Sequence, residues 1–461
     1  MFQEDTIAAI ATAVGEGGIG IVRLSGSGAL EIAGRIFKGI HGREVKDITS
    51  YQAAYGHIID PDSRRMVDEV ILLVMRGPAS YTKEDVIEIH CHGGPIPLKN
   101  ILALTLRMGA RLAEPGEFTK RAFLNGRLDL AQAEAVIDVI RAKTDISLKM
   151  AMNHLTGNLS RAICGLRHNI LELIAQLEAA IDFPEDDIEE VTAGQVDVAV
   201  RQILATLVKM MSTAQTGRIL REGLETVIIG KPNVGKSSLL NALLGENRAI
   251  VTEIPGTTRD SIEEYINIRG IPLKVIDTAG IRDTNDKIEQ IGVDKAREIM
   301  NRAGLILLML DASRSLSAED REVLGLIKEQ PTLVLLNKSD LPSRLSQIEL
   351  APWVEDKQII AISVTDGTGI EELEQAIVNL VYSGQVYQGD SVLVDNVRHV
   401  HALTQVKIHL EEVLNTIAAN MPSDCIVIDL RAAWEKLGEI TGDTVSEDII
   451  DQIFSRFCIG K

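Results

Sequence analysis

One glycine-rich segment near the middle of the chain constrains its fold more than any other feature. Residues 230–237 read Gly-Lys-Pro-Asn-Val-Gly-Lys-Ser and fit the pattern G-x-x-x-x-G-K-[S/T] without a gap. A β-branched run at 224–229 precedes this segment, and a helix-forming run at 238–243 follows it. The order predicts a P-loop, in which backbone N–H groups and a helix N-terminus hold phosphate oxygens. The predicted phosphate contacts are Asn233, Val234, Gly235, Lys236, Ser237 and Ser238, with the Ser237 hydroxyl on Mg²⁺.

A second segment follows the next apolar run and is predicted to lie near the γ-phosphate. Its residues are Asp277, Thr278, Ala279 and Gly280. A carboxylate at a strand end can order Mg²⁺ through water, and the glycine N–H can approach the γ-phosphate. This segment therefore extends the predicted phosphate site.

A third and a fourth segment predict that the base is guanine. Asp340 can accept hydrogen bonds from both N1–H and the 2-amino group of guanine, whereas adenine offers neither donor. Lys338 can cover the base plane, and Asn337 can brace the loop. Ser363 lies in a segment that can present a backbone N–H to guanine O6. With the P-loop, these segments predict GTP binding.

Hydrolysis needs an unusual set of groups, because Ile281 stands where Ras-like domains place a water-orienting Gln. Asn233 and backbone carbonyls of the loop at 252–258 can hold a monovalent cation against the phosphates, where an arginine finger would otherwise act. Carboxylates after Ile281 are either water-positioning groups or a solvated acidic loop, and residue types alone favour the loop. They are Asp283, Asp286 and Glu289.

The segments on either side of the P-loop predict a multidomain chain. Residues 1–118 mix short β-rich runs with helical periods, which indicates an α/β domain. Residues 119–217 and 383–461 carry apolar residues at helical spacing, and residues 218–382 alternate strands and helices as a Ras-like doubly wound sheet does. We predict that both helical segments form one discontinuous all-α domain with the G domain inserted, because insertion is tolerated when the insert's termini lie close together. Two separate helical domains are the alternative.

Composition narrows the class of protein further. The net charge of −19 argues against a broad basic surface for nucleic acid, though not against a local patch or a basic partner. Four cysteines without paired spacing fit a reducing compartment, and no apolar run has membrane-spanning length, so we expect a cytoplasmic protein without membrane contact.

Residues 15–20 fit G-x-G-x-x-G, but a strand-like run follows them, which excludes a Rossmann loop. His90 and His92 are too few ligands for structural zinc.

The flanking motifs carry a resemblance to a known family. They read GGIGIVRLSG at 17–26, SYTKED at 80–85, HGG at 92–94, PGEF at 115–118, RAFLNG at 121–126, LDLAQAE at 128–134, GTTRD at 256–260 and FCIGK at 457–461. Over essentially its whole length the chain resembles the MnmE (TrmE) tRNA modification GTPases of the TrmE-Era-EngA-YihA-Septin-like superfamily. That family has an N-terminal tetrahydrofolate-binding and dimerisation domain, a helical domain from two segments and an inserted TrmE-type G domain.

The resemblance implies a function as well as an architecture. It implies a homodimer that forms a heterotetramer with the flavoprotein MnmG (GidA) and acts on tRNA. Together they would add a carboxymethylaminomethyl or aminomethyl group to C5 of the wobble uridine of certain tRNAs. The one-carbon donor would be 5,10-methylenetetrahydrofolate, with 5-formyltetrahydrofolate as a stable analogue, and K⁺ would stimulate GTP hydrolysis.

The resemblance also assigns residues by motif match. The nucleotide loop would be Thr252, Glu253, Ile254, Pro255, Gly256, Thr257 and Thr258. K⁺ would be held by Asn233, Thr252, Ile254 and Thr257, and Mg²⁺ by Ser237 and Thr258. Glu289 and Cys458 would be catalytic, although Cys458 can also be read as a small buried apolar residue. The folate contacts would be Arg23, Glu88, Arg127, where some relatives have Lys, and Lys461.

Two other function classes remain open from the sequence. A ribosome-assembly or regulatory GTPase would be a binding switch without modification chemistry, and it would call for a basic RNA-binding stripe that the acidic balance disfavours. A folate-dependent one-carbon enzyme would use GTP only for regulation. Modification assays with and without hydrolysable GTP separate these classes.

Overall fold

A seven-stranded sheet forms the centre of the N-terminal part of the chain. The computed structural model describes residues 5–13, 15–182, 192–247, 264–276, 300, 302–327, 330–345, 347–354, 357–382 and 393–461. The strands are β1 (Ile7–Ile10), β2 (Gly17–Ser25), β3 (Phe37–Gly39), β4 (Gln52–Ile59), β5 (Met66–Met75), β6 (Val86–Gly93) and β7 (Arg111–Leu112). The helices packed on the sheet are α1 (Ala29–Ile36) and α2 (Pro95–Arg107). The strand order is β3-β4-β5-β6-β2-β1-β7, and the β1–β7 pair is parallel.

Alternation along the strands explains why one face of this sheet carries the core. In β5, Val70 and Leu72 are buried, whereas Ile71 between them is exposed. The buried set packs against α1 and α2 through residues such as Ile36 and Ile101. The predicted α/β domain is confirmed, and the G-x-G-x-x-G segment runs into β2 rather than into a helix.

Helices follow directly after the sheet. They are α3 (Glu117–Leu124), α4 (Leu130–Arg141), α5 (Asp145–Leu155), α6 (Asn158–Asp182), α7 (Ala193–Met211) and α8 (Ala214–Glu222). Helix α4 begins with a capping box, in which the Asp129 side chain accepts from the Gln132 N–H and the Gln132 side chain accepts from the Asp129 N–H. Thr144 caps α5 in the usual one-sided way by accepting from the Ser147 N–H.

The central part of the chain is a six-stranded sheet with helices on both faces. The strands are β8 (Leu224–Ile229), β9 (Glu264–Ile268), β10 (Ile271–Val275), β11 (Leu305–Asp311), β12 (Thr332–Asn337) and β13 (Gln358–Ala361). The helices are α9 (Lys236–Asn247), α10 (Ala318–Leu326), α11 (Gln347–Val354) and α12 (Ile370–Tyr382). The order β13-β12-β11-β8-β10-β9 is parallel except for the β9–β10 hairpin. The predicted doubly wound G domain is confirmed.

The last helices complete a core that the earlier helices begin. They are α13 (Val397–Ala418), α14 (Ser423–Thr441) and α15 (Glu447–Phe454). Ile170 of α6, Leu207 of α7, Leu410 of α13 and Leu437 of α14 belong to one buried apolar cluster. Helical segments before and after the G domain therefore form one discontinuous domain, as predicted. The proposed boundaries at residues 118, 217 and 382 remain predictions.

Candidate functional site

The P-loop lies at the carboxyl end of β8, where ligands bind in open parallel sheets. Gly235 adopts φ +106, and a Cβ there would collide with the Asn337 side-chain amide, so only glycine fits. Asn233 is exposed and also has a positive φ, +61, which asparagine tolerates better than most residues. The loop is thus shaped by its own sequence and by a neighbouring segment.

Lys236 spans the P-loop from the first turn of α9. Its Nζ donates to the carbonyl oxygens of Gly230 and Lys231, both at 2.7 Å. Burial lowers the pKa of Lys236. An incoming phosphate would offer this ammonium an anionic acceptor in place of two neutral ones, which favours phosphate binding. Ser237 and Ser238 follow it in the same helical turn.

Asn337 connects the P-loop to the predicted guanine-binding segments. Its Nδ2 donates to the Val234 carbonyl at 2.7 Å, and its Oδ1 accepts from the Val364 N–H at 3.3 Å. The Ser363 hydroxyl donates to Asp340 Oδ1 at 2.8 Å. Three segments that are far apart in sequence therefore meet at one edge of the sheet. The Ser363 side chain, which belongs to the predicted guanine site, therefore orients the Asp340 carboxylate at this edge.

Lys338 has a partner, Asp311, that the predictions from sequence did not include. Its Nζ donates to Asp311 Oδ2 at 2.7 Å, and Asp311 is the last residue of β11. Because β11 lies between β8 and β12, its carboxyl end points to the same edge as the P-loop. The signal was available in the sequence as an acidic residue directly after the buried run 305–310.

Several predicted nucleotide and metal contacts lie outside the described residues. They are Thr252, Glu253, Ile254, Pro255, Gly256, Thr257, Thr258, Asp277, Thr278, Ala279, Gly280 and Glu289. The predicted K⁺ and Mg²⁺ sets are thus described only at Asn233 and Ser237. In the parts of the chain that the structure describes, no cluster of three His, Cys, Asp or Glu side chains is arranged to hold a metal ion.

A second candidate site lies on the N-terminal sheet, where Arg23 of β2 pairs across the strands with Glu88 of β6. Arg23 Nε donates to Glu88 Oε1 at 2.9 Å, and Arg23 Nη2 lies 2.8 Å from the same oxygen. Both side chains are mostly buried, at 15% and 13% exposed. The second Glu88 oxygen lies 3.1 Å from His90 Nε2. The sheet register therefore fixes a cation and a carboxylate side by side.

Tyr81 connects this pair to Arg127, and sequence reasoning did not single it out. The Arg23 guanidinium carbon lies 5.6 Å from the centroid of the Tyr81 ring, and that of Arg127 lies 4.7 Å from it. The Tyr81 hydroxyl is 2.9 Å from Thr119 Oγ1, which orients the ring. Two guanidinium groups near one ring gain from its quadrupole and bring positive charge beside Glu88; we call this group of side chains the N-terminal pocket.

The C-terminal tail reaches the same pocket. Arg23 Nη1 donates to the Gly460 carbonyl at 3.4 Å, and the Gly116 N–H donates to the Cys458 carbonyl at 3.3 Å. Gly460 has φ +92, and a Cβ there would collide with the Ile10 carbonyl oxygen of β1. Burial, together with Arg23, lowers the pKa of Lys461. The structure thus brings Arg23, Glu88, Arg127 and Lys461 together, and it leaves Cys458 exposed beside them.

The fold and the two sites define a class of protein. A P-loop nucleotide-binding domain is inserted into a helical domain, and an N-terminal sheet carries a cationic pocket. A family model described as the MnmE helical domain matches residues 130–458, and one described as the GTP-binding protein TrmE N-terminus matches residues 6–127. The chain belongs to the MnmE family of tRNA modification GTPases.

Individual relatives match over the whole chain. A tRNA modification GTPase MnmE of Alkaliphilus metalliredigens is 53% identical over 461 residues, which is 100% of both chains. That of Clostridioides difficile is also 53% identical with 100% of both chains covered. Among solved structures, the G domain of the T. maritima FeoB iron transporter is 25% identical, covers 34% of this chain and 97% of its own, and has a TM-score of 0.26. No described helix is long and apolar enough to cross a membrane.

Proposed function

We propose that this chain hydrolyses GTP and, with the flavoprotein MnmG, adds a carboxymethylaminomethyl or aminomethyl group to C5 of the wobble uridine of certain tRNAs. The observation that carries the proposal is the meeting of Arg23, Glu88, Arg127 and Lys461 in one pocket. They meet in a chain similar over its full length to MnmE proteins. A homodimer that forms a heterotetramer with MnmG is part of the proposal.

The nucleotide site would divide its work among four groups of residues. Lys236 and the P-loop N–H groups would hold the β- and γ-phosphates, with Mg²⁺ on Ser237 and Thr258. Asp340, whose carboxylate accepts a hydrogen bond from the Ser363 hydroxyl, would select guanine. K⁺ would lie between Asn233 and the Thr252–Thr257 loop and offset the charge that develops during hydrolysis. Glu289 would position water.

The pocket on the N-terminal sheet has a donor set that fits a folate. Folates carry glutamate carboxylates, which Arg23, Arg127 and Lys461 can neutralise, and a pterin ring whose N–H donors match the Glu88 carboxylate. When bound there, 5,10-methylenetetrahydrofolate would supply the one-carbon unit. Cys458 lies at the pocket edge as a candidate reactive group.

Reconstitution tests the proposal. The purified chain is combined with MnmG, 5,10-methylenetetrahydrofolate, K⁺, GTP and unmodified tRNA, and wobble uridine is analysed by mass spectrometry of nucleosides. We expect modification with GTP and none with a non-hydrolysable analogue. Unmodified uridine in the complete mixture would refute the proposal, while modification that proceeds equally with the analogue would favour a folate enzyme in which GTP is regulatory.

A variant pair separates the folate pocket from the nucleotide site. Arg23→Ala should abolish modification and leave the basal GTPase rate unchanged, because Arg23 lies in the N-terminal sheet. Arg35→Ala is the matched control, since Arg35 forms an exposed pair with Glu31. A separate experiment tests the proposed K⁺ site. Replacing K⁺ by Na⁺ should slow the rate of GTP hydrolysis.

A further inference from the structure

The β9–β10 hairpin occupies a special place in the chain. The loop at 252–258 precedes β9, and Asp277 follows β10. Both segments, which are predicted to contact the nucleotide phosphates or their metal ions, therefore join the same end of this hairpin in sequence. The opposite end is the turn at Arg269 and Gly270. A paired hairpin moves as a unit, because its cross-strand hydrogen bonds fix the register of β9 against β10.

The turn of this hairpin contacts the helical domain. The Thr144 hydroxyl at the start of α5 donates to the Gly270 carbonyl at 2.7 Å, and Thr144 is buried. Ile146 packs against the apolar core of the G domain. The Lys143 ammonium lies 5.1 Å from the centroid of the Tyr265 ring of β9. The first turn of α5 is therefore fitted to the hairpin by a hydrogen bond, an apolar contact and a cation–π contact.

Helix α5 is in turn fixed to α4 and to both chain segments that lead into and out of the G domain. Gln132 Nε2 of α4 donates to the Leu155 carbonyl at the end of α5 at 3.0 Å. Ser147 Oγ donates to the Leu220 carbonyl before the G domain at 2.6 Å, and His154 Nε2 lies 2.8 Å from the Leu393 carbonyl after it. We call α4 and α5 the coupling helices.

The far side of the coupling helices reaches the folate pocket. Arg127, which lies against Tyr81, is two residues before the Asp129 cap of α4. At the other end of α4, Arg141 Nη2 donates to the Arg456 carbonyl at 3.0 Å, just ahead of the tail that carries Cys458 and Lys461. A displacement of α4 would therefore act on both sides of the pocket.

We propose that the coupling helices transmit the nucleotide state to the folate pocket through the contact between Thr144 and the Gly270 turn. The inference rests on the proposed function, because it takes the N-terminal pocket as the folate site. Linkage makes the coupling reciprocal: if GTP changes the affinity for folate, folate must change the preference for GTP over GDP by the same factor. Thr144 is a positioning residue in this scheme, since it touches neither ligand.

The test compares folate affinity in two nucleotide states. Calorimetry on the full chain in K⁺ and Mg²⁺ gives the Kd of 5-formyltetrahydrofolate with saturating GDP and with a non-hydrolysable GTP analogue. For the unmodified chain we expect the two values to differ by at least about five-fold. Thr144→Val loses the hydroxyl and should bring the ratio of these two Kd values towards one, while basal GTP hydrolysis stays unchanged.

Two control variants separate coupling from stability. Thr144→Ser keeps a hydroxyl that can cap α5 and donate to Gly270, so it should keep the ratio. Thr192→Val removes a threonine hydroxyl that caps α7 as part of a capping box. Its partner is Gln195 of the same helix rather than the hairpin, so this variant should also keep the ratio. The analogue-over-GDP preference, measured with and without saturating 5-formyltetrahydrofolate, should shift in parallel with the ratio in every variant.

Four results would overturn the inference. Thr144→Val could keep the full ratio, or Thr192→Val could lose it equally, which would reveal a general effect of helix capping. A ratio of one in the unmodified chain, with both ligands bound, would refute the coupling alone and leave the folate assignment intact. No binding of 5-formyltetrahydrofolate in either nucleotide state would refute the folate assignment and the coupling together.

Discussion

Removing the charge of Glu134 should destabilise the helical domain far more than removing a surface charge. Glu134 lies on α4 and is 7% exposed. Its two oxygens accept from Arg398 Nε at 3.1 Å and Arg398 Nη2 at 2.7 Å, and one of them lies 2.8 Å from His399 Nε2. The carboxylate thus ties α4 to α13 across the inserted G domain.

The magnitude follows from the surroundings of this carboxylate. Burial raises the pKa of Glu134, but His399 and Arg398 outweigh burial and lower it from 4.5 to about 2. That difference corresponds to about 3 kcal/mol of stability at neutral pH. Glu134→Gln keeps the shape but leaves Arg398 without its anion, and breaking a buried pair costs about 3–5 kcal/mol. We expect a loss in that range.

Urea unfolding measures the effect in the helical domain when one tryptophan reports on it. The chain has two tryptophans, so Trp353→Phe leaves Trp434 of α14 as the reporter. Glu178→Gln is the matched control, because its partner Arg431 is 61% exposed and such pairs contribute about 1 kcal/mol or less. Equal losses in Glu134→Gln and Glu178→Gln would refute the reasoning.

The pH dependence gives the prediction a second check. Because folding lowers the pKa of Glu134, the stability it contributes is present above its ordinary value of 4.5 and is lost as pH falls towards about 2. The difference between the unmodified chain and Glu134→Gln should therefore be full at neutral pH and shrink below about pH 4.5. A difference that grows on acidification would contradict the assigned sign.

Further predictions concern the two sites. Lys236→Ala should weaken GTP binding about ten- to hundred-fold by fluorescent-nucleotide titration. Lys231→Ala should change GTP binding much less, because Lys231 does not occupy the position of the phosphate-binding lysine in the P-loop pattern. Asp340→Asn should weaken GTP binding about hundred-fold and favour xanthosine triphosphate, whose 2-oxo group accepts from an amide. Gly460→Ala should weaken 5-formyltetrahydrofolate binding about ten-fold in calorimetry, and Gly109→Ala, which has a similar φ but open space, should not.

The parts of the fold that local pattern determines could be predicted from sequence. The P-loop is fixed by adjacent residues, and the switch from period-two to helical spacing near residue 118 marks the change from sheet to helices. The discontinuous helical domain was predicted from the helical segments on both sides of the G domain, with two separate helical domains as the alternative, and the shared core decides between them. Strand order across β2 and β6 was not predictable in this way, and the Arg23–Glu88 pair depends on it.

The buried ion cluster around Glu134 was not predictable for a different reason. In sequence, Glu134 is an acid flanked by two alanines in an amphipathic helix, which is typical of a solvated position. Its partners Arg398 and His399 lie beyond the whole G domain, so no local pattern joins them. Tyr81 was missed likewise, because its meaning comes from two arginines that are distant from it in the chain.

The central position of the P-loop follows from how the two ends of the G domain are held. The Val394 N–H donates to Thr213 Oγ1 at 3.1 Å, and the Thr216 hydroxyl donates to the Val381 carbonyl at 3.1 Å, so the chain leaves and re-enters the helical domain at one place. An insert held this way adds a domain without dividing the helical core. A rearrangement in the G domain would therefore act on helices that share that core. Helix α4 contributes Ala131 to it, and the neighbours of α4 reach the proposed folate pocket. The insertion point therefore places the nucleotide site where it can influence the pocket with no further linker.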